Sequence, residues 1–192
     1  FADAVTDVCQ RTGTLLIADE VQSGLGRTGH AFHSHALGWR PDLISVGKAL
    51  GSGVPVGAAL VSERVAQSTS AGDHGSTYGA NLLATRAAAY FLEQLTDRGL
   101  LDHVRTVGAH FERLLRTLAL KHPVIVEARG AGLMRGLELR IDATPIVDQA
   151  RQQGLLVNRT NEKVVRLLPP LTVEQSDIDR AVDRLGGGRG YE

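Results

Sequence analysis

The apolar positions are first spaced as in a helix, and short, wholly apolar runs follow. Residues 1–12 carry apolar side chains at helical spacing. Three continuous apolar runs follow, in TLLIADE, PDLISVGK and VPVGAALVS. Runs of this kind are typical of strands that are buried on both faces of a parallel sheet. The pattern in the first part of the chain therefore predicts an α/β sheet.

The pattern changes after about residue 98. Before that point, helices are predicted in ERVAQS and over residues 81–97. Beyond it, helices are predicted over 99–121 and 143–153 and in TVEQSDIDRAVDRLG, and strands in VIVEARGAGLMRGLELR, GLLVNRT and KVVRLLPP. The second part of the chain therefore predicts a smaller α+β unit.

The change from the α/β pattern to the α+β pattern predicts a domain boundary close to residue 97. We expect residues 1–97 to form one unit that includes the helix leading to the next, and residues 98–186 to form a second, smaller unit. The glycine-rich stretch 187–192 is predicted to be a disordered tail.

Composition narrows the classes of function. The 192 residues carry 21 basic and 21 acidic side chains, so the formal net charge is zero and nothing indicates a nucleic-acid or membrane surface. A single cysteine excludes an intrachain disulfide, and the apolar runs are too short to span a bilayer. The histidines lack the grouping of a zinc site, so no metal is expected.

Two charged residues stand where successive buried strands end. Asp19 ends LLIAD, and Lys48 ends DLISVGK. Taken singly, each has an ordinary interpretation, as a loop-capping aspartate or a solvated lysine. Taken together, they suit pyridoxal phosphate, which needs an amine for its aldehyde and an acid for its ring nitrogen. Ligands in open α/β sheets bind beside such strand ends, where partial desolvation lowers the pKa of a lysine.

Two further features fit an anionic ligand. HGSTYGAN offers the hydroxyl groups of Ser76 and Thr77 just before a helix, whose exposed N–H groups attract phosphate, although it could equally be a plain polar loop. Arg166 lies among apolar neighbours in KVVRLLPP, and its guanidinium needs an anion there. That anion is either a substrate carboxylate or a structural ion-pair partner. Arg135 has a similar setting.

Long motifs carry a family resemblance. In order along the chain they are LLIADEVQSGLGRTG, PDLISVGKALGSGVPVGA, HGSTYGAN and VVRLLPPLTV. Together they resemble the class III pyridoxal-phosphate aminotransferases, with the acetylornithine and ornithine aminotransferase branch as the nearest likeness. The resemblance spans residues 1 to about 185. It implies the C-terminal half of a fold-type I transferase, with residues 1–97 as part of the large cofactor-binding domain and its mixed sheet, and residues 98–186 as the small C-terminal domain.

The resemblance also implies roles. Lys48 would bind the cofactor as a Schiff base and shuttle a proton, Asp19 would pair with the ring nitrogen, and Gln22 would hydrogen-bond the phenolic oxygen. Thr77, with Ser76 beside it, would reach the phosphate of the cofactor bound to a neighbouring subunit, which implies a homodimer. Arg166 would bind the substrate α-carboxylate.

Transamination of an ornithine-like donor with 2-oxoglutarate is the activity that the resemblance implies. We expect the remaining parts of such a site, including a residue that stacks on the ring, to lie in an N-terminal half that this sequence does not contain. The alternatives are an inactive fragment that at most pairs with such a half or with another subunit, and a different class III member such as a 4-aminobutyrate aminotransferase. A cytoplasmic location is the default expectation.

Overall fold

The computed structural model describes residues 1–187, which form two compact units. The N-terminal unit contains Phe1–Gly26 and His30–Leu101, and the C-terminal unit contains Arg27–Gly29 and residues 102–187. The predicted disordered tail, 187–192, lies outside the described residues except for Gly187.

The N-terminal unit holds most of the short elements. They are α1 (Ala2–Thr12), β1 (Ile17–Asp19), α2 (His33–Ala36), β2 (Leu43–Val46), a 3-10 turn (Lys48–Gly51), β3 (Ala58–Val61), α3 (Glu63–Ala66) and α4 (Leu82–Thr96). The predicted first helix is confirmed, and it ends because Gly13 adopts a left-handed conformation with φ of 69°. The strands form a sheet of order β1-β2-β3.

The third strand of this sheet differs from the buried, parallel strand that its apolar pattern predicted, whereas the mixed sheet that the family resemblance implies is confirmed. β1 and β2 are parallel, but β3 is antiparallel to β2 and exposed along its whole length. A parallel return needs a long crossover, whereas the chain between β2 and β3 turns back directly through the 3-10 turn. Burial on both faces is also wrong for β1, where Ile17 is 63% exposed and only Ala18 is buried. Both strands are edges of this three-stranded sheet, so each has a neighbour on one side only.

The C-terminal unit matches the predicted α+β pattern. Its elements are α5 (Leu100–Lys121), β4 (Ile125–Ala131), β5 (Met134–Leu139), α6 (Thr144–Gln152), β6 (Asn158–Asn161), β7 (Val164–Leu167) and α7 (Gln175–Gly186). The strands pair antiparallel in the order β4-β5-β7-β6. Alternate residues of β5 are buried, so one face of this sheet covers a core while the other is more open.

The C-terminal unit also includes three residues from the loop after β1. Arg27 donates hydrogen bonds to the carbonyl oxygens of Pro169 (2.6 Å) and Leu133 (3.4 Å), and Arg105 donates to that of Gly29 (2.8 Å). Burial lowers the pKa of Arg27, and the two carbonyl groups compensate for the water that its guanidinium has lost.

No helix within residues 1–187 is long and apolar enough to cross a bilayer.

Candidate active site

Asp19 is held by two donors at the end of β1. The parallel pairing of β1 and β2 places Asp19 opposite Ser45. The Ser45 hydroxyl donates to Oδ1 of Asp19 at 2.8 Å, and the backbone N–H of Val21 donates to the same oxygen at 3.1 Å. These hydrogen bonds, Ser45 first, and the charge of Lys48 lower the pKa of Asp19, which is exposed. Asp19 is therefore an ionised carboxylate at neutral pH.

Lys48 opens the 3-10 turn that follows β2. Its Nζ donates to Oε1 of Gln22 at 2.6 Å, so the chain brings together two residues that the sequence separates by 26 positions. Its backbone φ is 43°, in the left-handed region that residues other than glycine seldom adopt. Strain of this kind clusters at functional sites. Lys48 is exposed, so the partial desolvation expected from the sequence is not seen in this chain.

Glu20 is a residue of this region that sequence reasoning missed. It is 2% exposed and accepts hydrogen bonds from the backbone N–H groups of His33 and Ser34 and from the hydroxyl of Ser23. Burial by itself raises the pKa of Glu20, but these donors outweigh it and the net pKa is lowered. Glu20 thus fixes the turn that carries Gln22. A buried acid beside a strand end was visible in the sequence, but its donors lie 3 to 14 residues away in a loop without a pattern.

The loop that carries Ser76 and Thr77 is exposed and precedes α4. Asn81 caps that helix, because its Oδ1 accepts from the N–H of Ala84 at 2.9 Å. Its amide nitrogen donates to the carbonyl of Tyr78 at 2.9 Å and so ties the loop to the helix. Within residues 1–187, no hydrogen bond joins Ser76 or Thr77 to the residues around Lys48. The structure leaves both hydroxyl groups open to an external ligand.

Arg166 lies on the open face of the sheet in the C-terminal unit. It stands between Gly136 on β5 and Asn158 on β6, and its Nε donates to Oδ1 of Asn158 at 3.3 Å. It lines a cavity of about 340 Å³ together with Arg129, Met134 and other residues of the same unit. No carboxylate among residues 1–187 pairs with Arg166, so the structural ion pair that the sequence allowed is not observed.

The other arginine side chains near this cavity are already neutralised. Arg129 pairs with Glu127 and Glu138. Arg135 is 6% exposed, bonds to the carbonyl groups of Gly130, Gly132 and Gly108, and pairs with Glu112 at 3.0 Å. The similar sequence settings of Arg135 and Arg166 therefore conceal different roles. Arg135 stabilises the C-terminal unit, whereas Arg166 is available to an anion.

The structure thus brings Asp19, Gln22 and Lys48 together within the N-terminal unit. Ser76 and Thr77 belong to the same unit but to a separate exposed loop, and Arg166 belongs to the C-terminal unit. Chemically, the first three residues offer an ionised acid, an amide and a primary amine. That combination can hold an aldehyde-bearing heterocycle with a basic ring nitrogen.

Comparisons with known proteins agree with this chemistry. The family model for aminotransferase class III matches residues 1–187. The acetylornithine aminotransferase of Aquifex aeolicus is 43% identical over 185 residues, a match that covers 96% of this chain and 47% of the relative. That of Methanothermobacter thermautotrophicus is 42% identical over 182 residues, which cover 95% of this chain and 47% of the relative.

Solved structures give the same picture. Plasmodium falciparum ornithine δ-aminotransferase aligns with a TM-score of 0.87 at 34% identity, over 95% of this chain and 48% of that one. An S-selective transaminase from Arthrobacter aligns with a TM-score of 0.91 at 27% identity, over 97% of this chain and 46% of that one. The chain spans about half the length of the curated relatives that it matches.

Proposed function

Because the chain belongs to the class III aminotransferases, we propose that Lys48, Asp19 and Gln22 form the cofactor end of a transamination site for pyridoxal 5'-phosphate. The observation that carries the proposal is the approach of these residues at the ends of two paired parallel strands. The strained backbone of Lys48 supports it, since a solvated surface lysine gains nothing from a left-handed φ.

The side chains fit the chemistry of this cofactor. When bound, pyridoxal phosphate draws the electrons of a broken C–H bond into its ring, which is what transamination requires. Lys48 would hold the aldehyde carbon and then move a proton at the substrate carbon. Asp19 would accept a hydrogen bond from the protonated ring nitrogen through Oδ2, the oxygen that no hydrogen bond uses among residues 1–187. Gln22 accepts from Lys48 through Oε1, so its amide N–H groups remain to donate to the phenolic oxygen.

The phosphate would be held by Thr77 and Ser76 of a neighbouring copy of the chain. Both hydroxyl groups lie on an exposed loop and, among residues 1–187, have no partner around Lys48, which fits a ligand outside their own chain. A homodimer is therefore part of the proposal. In domain terms, residues 1–97 would be the C-terminal part of the large cofactor-binding domain, and residues 98–186 the small domain.

Arg166 would bind the α-carboxylate of the substrate. Its guanidinium lines a cavity and has no acidic partner among residues 1–187, whereas the neighbouring Arg129 is paired twice. A bidentate contact with a carboxylate is specific to the planar guanidinium. Arg166→Lys should therefore raise KM for both substrates about tenfold, with a smaller effect on kcat. Arg159→Lys is the matched control, because that exposed arginine on β6 already bonds to Asp142 and Thr144.

For the reaction itself, we propose transfer of the ω-amino group of acetylornithine or ornithine to 2-oxoglutarate in two half-reactions. The relatives named acetylornithine and ornithine aminotransferase support this choice of donor. The donor becomes an aldehyde, and 2-oxoglutarate becomes glutamate. Glutamate formation with N-acetylornithine, ornithine and 4-aminobutyrate as donors tests the proposal. We expect the first two to be used and Lys48→Ala to abolish turnover. If 4-aminobutyrate is the only donor of the three that is used, the chain belongs to another branch of the class III aminotransferases.

A second candidate is that this chain supplies only part of a site. Two observations favour it: Asp19 and Lys48 are exposed, and the chain spans about half the length of its relatives. The test is to add the segment of the Aquifex aeolicus relative that this chain does not match. Activity that appears only in the mixture supports a shared site, and equal activity without the added segment contradicts it.

A further inference from the structure

We infer that Ser45 is a positioning residue that orients Asp19 toward the cofactor, an inference that rests on the function proposed above. Ser45 and Asp19 are register partners on β2 and β1, and the Ser45 hydroxyl lies 2.8 Å from Oδ1 of Asp19. The other residues of β2 (Leu43, Ile44 and Val46) are apolar, so Ser45 is the only side chain of this strand that can donate a hydrogen bond.

The two donors to Asp19 converge on one oxygen. Ser45 donates from the neighbouring strand and the N–H of Val21 donates from the turn that follows, both to Oδ1. A carboxylate fixed from two directions at one oxygen has its rotation restricted. Oδ2 is thereby kept in one orientation, with no hydrogen bond to it within residues 1–187. A site that must meet a ring nitrogen needs an acceptor held in this way.

The Ser45 hydroxyl also favours the ionised form of the acid. A hydrogen bond to a carboxylate stabilises its charged form, and the Ser45 contact is the largest of the influences that lower the pKa of Asp19. Lys48 is the charged group that acts on Asp19 in the same direction. Without Ser45, Asp19 would keep the Val21 contact and the Lys48 charge, but its carboxyl group could rotate and its pKa would rise.

The test compares Ser45→Ala with Ser45→Thr, which restores a hydroxyl on a strand that tolerates β-branching. Ser68→Ala is the control, since Ser68 is an exposed serine of the same unit whose hydroxyl donates to the backbone carbonyl of Val65. The first readout is the pKa of Asp19, measured by carbon NMR of the carboxyl group without cofactor. The second is the affinity for pyridoxal phosphate and for its analogue with carbon in place of the ring nitrogen.

We expect Ser45→Ala to raise the Asp19 pKa and to weaken pyridoxal phosphate binding about two- to tenfold. Binding of the analogue should not change, and Ser45→Thr should restore both values. An unchanged Asp19 pKa, or equal weakening of both ligands, would overturn the inference, because the latter is what a merely structural role produces. If the unaltered chain binds neither ligand, the proposed function fails, while the Asp19 pKa still decides whether Ser45 holds the carboxylate.

Discussion

Two adjacent carboxylates, Asp19 as the last residue of β1 and Glu20 directly after it, have different surroundings and therefore different roles. The side chain of Asp19 is exposed, whereas that of Glu20 is buried. Asp19 remains exposed with one oxygen held by Ser45 and Val21, whereas Glu20 is buried and accepts from several donors in the following loop. Asp19 is therefore suited to an external ligand, and Glu20 stabilises the turn that presents Gln22.

Glu20→Gln should destabilise the N-terminal unit by about 1–2 kcal/mol at neutral pH, because charge-assisted hydrogen bonds to a buried carboxylate become neutral ones. The folded state lowers the pKa of Glu20, so this stabilisation is complete above the ordinary glutamate pKa and is lost as the pH falls through the folded value. Urea unfolding at neutral and at acidic pH measures it.

The difference in the free energy of unfolding between the Glu20→Gln variant and the unaltered chain should become smaller as the pH is lowered. The exposed Glu174, whose side chain makes no capping hydrogen bond, gives the control Glu174→Gln with little effect at any pH. If this difference in unfolding free energy stays constant down to acidic pH, Glu20 does not stabilise the fold through its charge.

At the scale of elements, periodicity predicted the long helices and the C-terminal sheet well. α4 and α5 occur where alanine-rich and amphipathic patterns placed them, and the pair of strands around the glycine turn is β4 and β5. The direction and burial of β3 could not be predicted, since an apolar run reports neither its partner nor its neighbours. Asp19 and Lys48 were proposed as site residues because each follows a predicted strand. Gln22 was proposed only from the family resemblance, and the part played by Glu20 is visible only in the structure.

Gly108 illustrates a constraint that a helical pattern hides. It lies in the middle of α5, where alanine ordinarily stabilises a helix. A Cβ at this position would lie 2.9 Å from backbone atoms of Gly132, so helix and turn approach too closely for any side chain. Gly108→Ala should therefore destabilise the C-terminal unit by about 1–3 kcal/mol, as measured by thermal unfolding.

The matched control for this substitution is Gly75→Ala. A Cβ at Gly75 would meet no atom within 4 Å. We expect that variant to unfold at the same temperature as the unaltered chain or slightly above it. Equal behaviour of the two variants would contradict the close packing of α5 against the turn.

At the scale of the whole molecule, the two units differ in how completely they are packed. The largest fully buried side chains within residues 1–187, which include Phe111, Leu133 and Leu137, all belong to the C-terminal unit. In the N-terminal unit, β3 is exposed throughout and Leu82 is 88% exposed. Local stability follows the density of buried apolar contacts. The C-terminal unit should therefore be the more stable one.

Hydrogen exchange followed residue by residue checks this difference. Amides of β5 and β7 should exchange at least about tenfold more slowly than those of β1 and β2, because opening them exposes a larger buried core. Equal protection in the two sheets would show that the chain opens as one cooperative unit.

Borohydride trapping of the bound cofactor tests whether Lys48 is the lysine that binds it. The chain has three lysines, Lys48, Lys121 and Lys163, so selectivity can be assigned without ambiguity. The chain is mixed with pyridoxal phosphate, reduced with borohydride and digested, and the peptides are weighed, with Lys48→Ala alongside. We predict one cofactor-sized adduct, on Lys48, that is absent from the variant. Adducts spread over all three lysines, or none on Lys48, would show that Lys48 is not the cofactor-binding lysine.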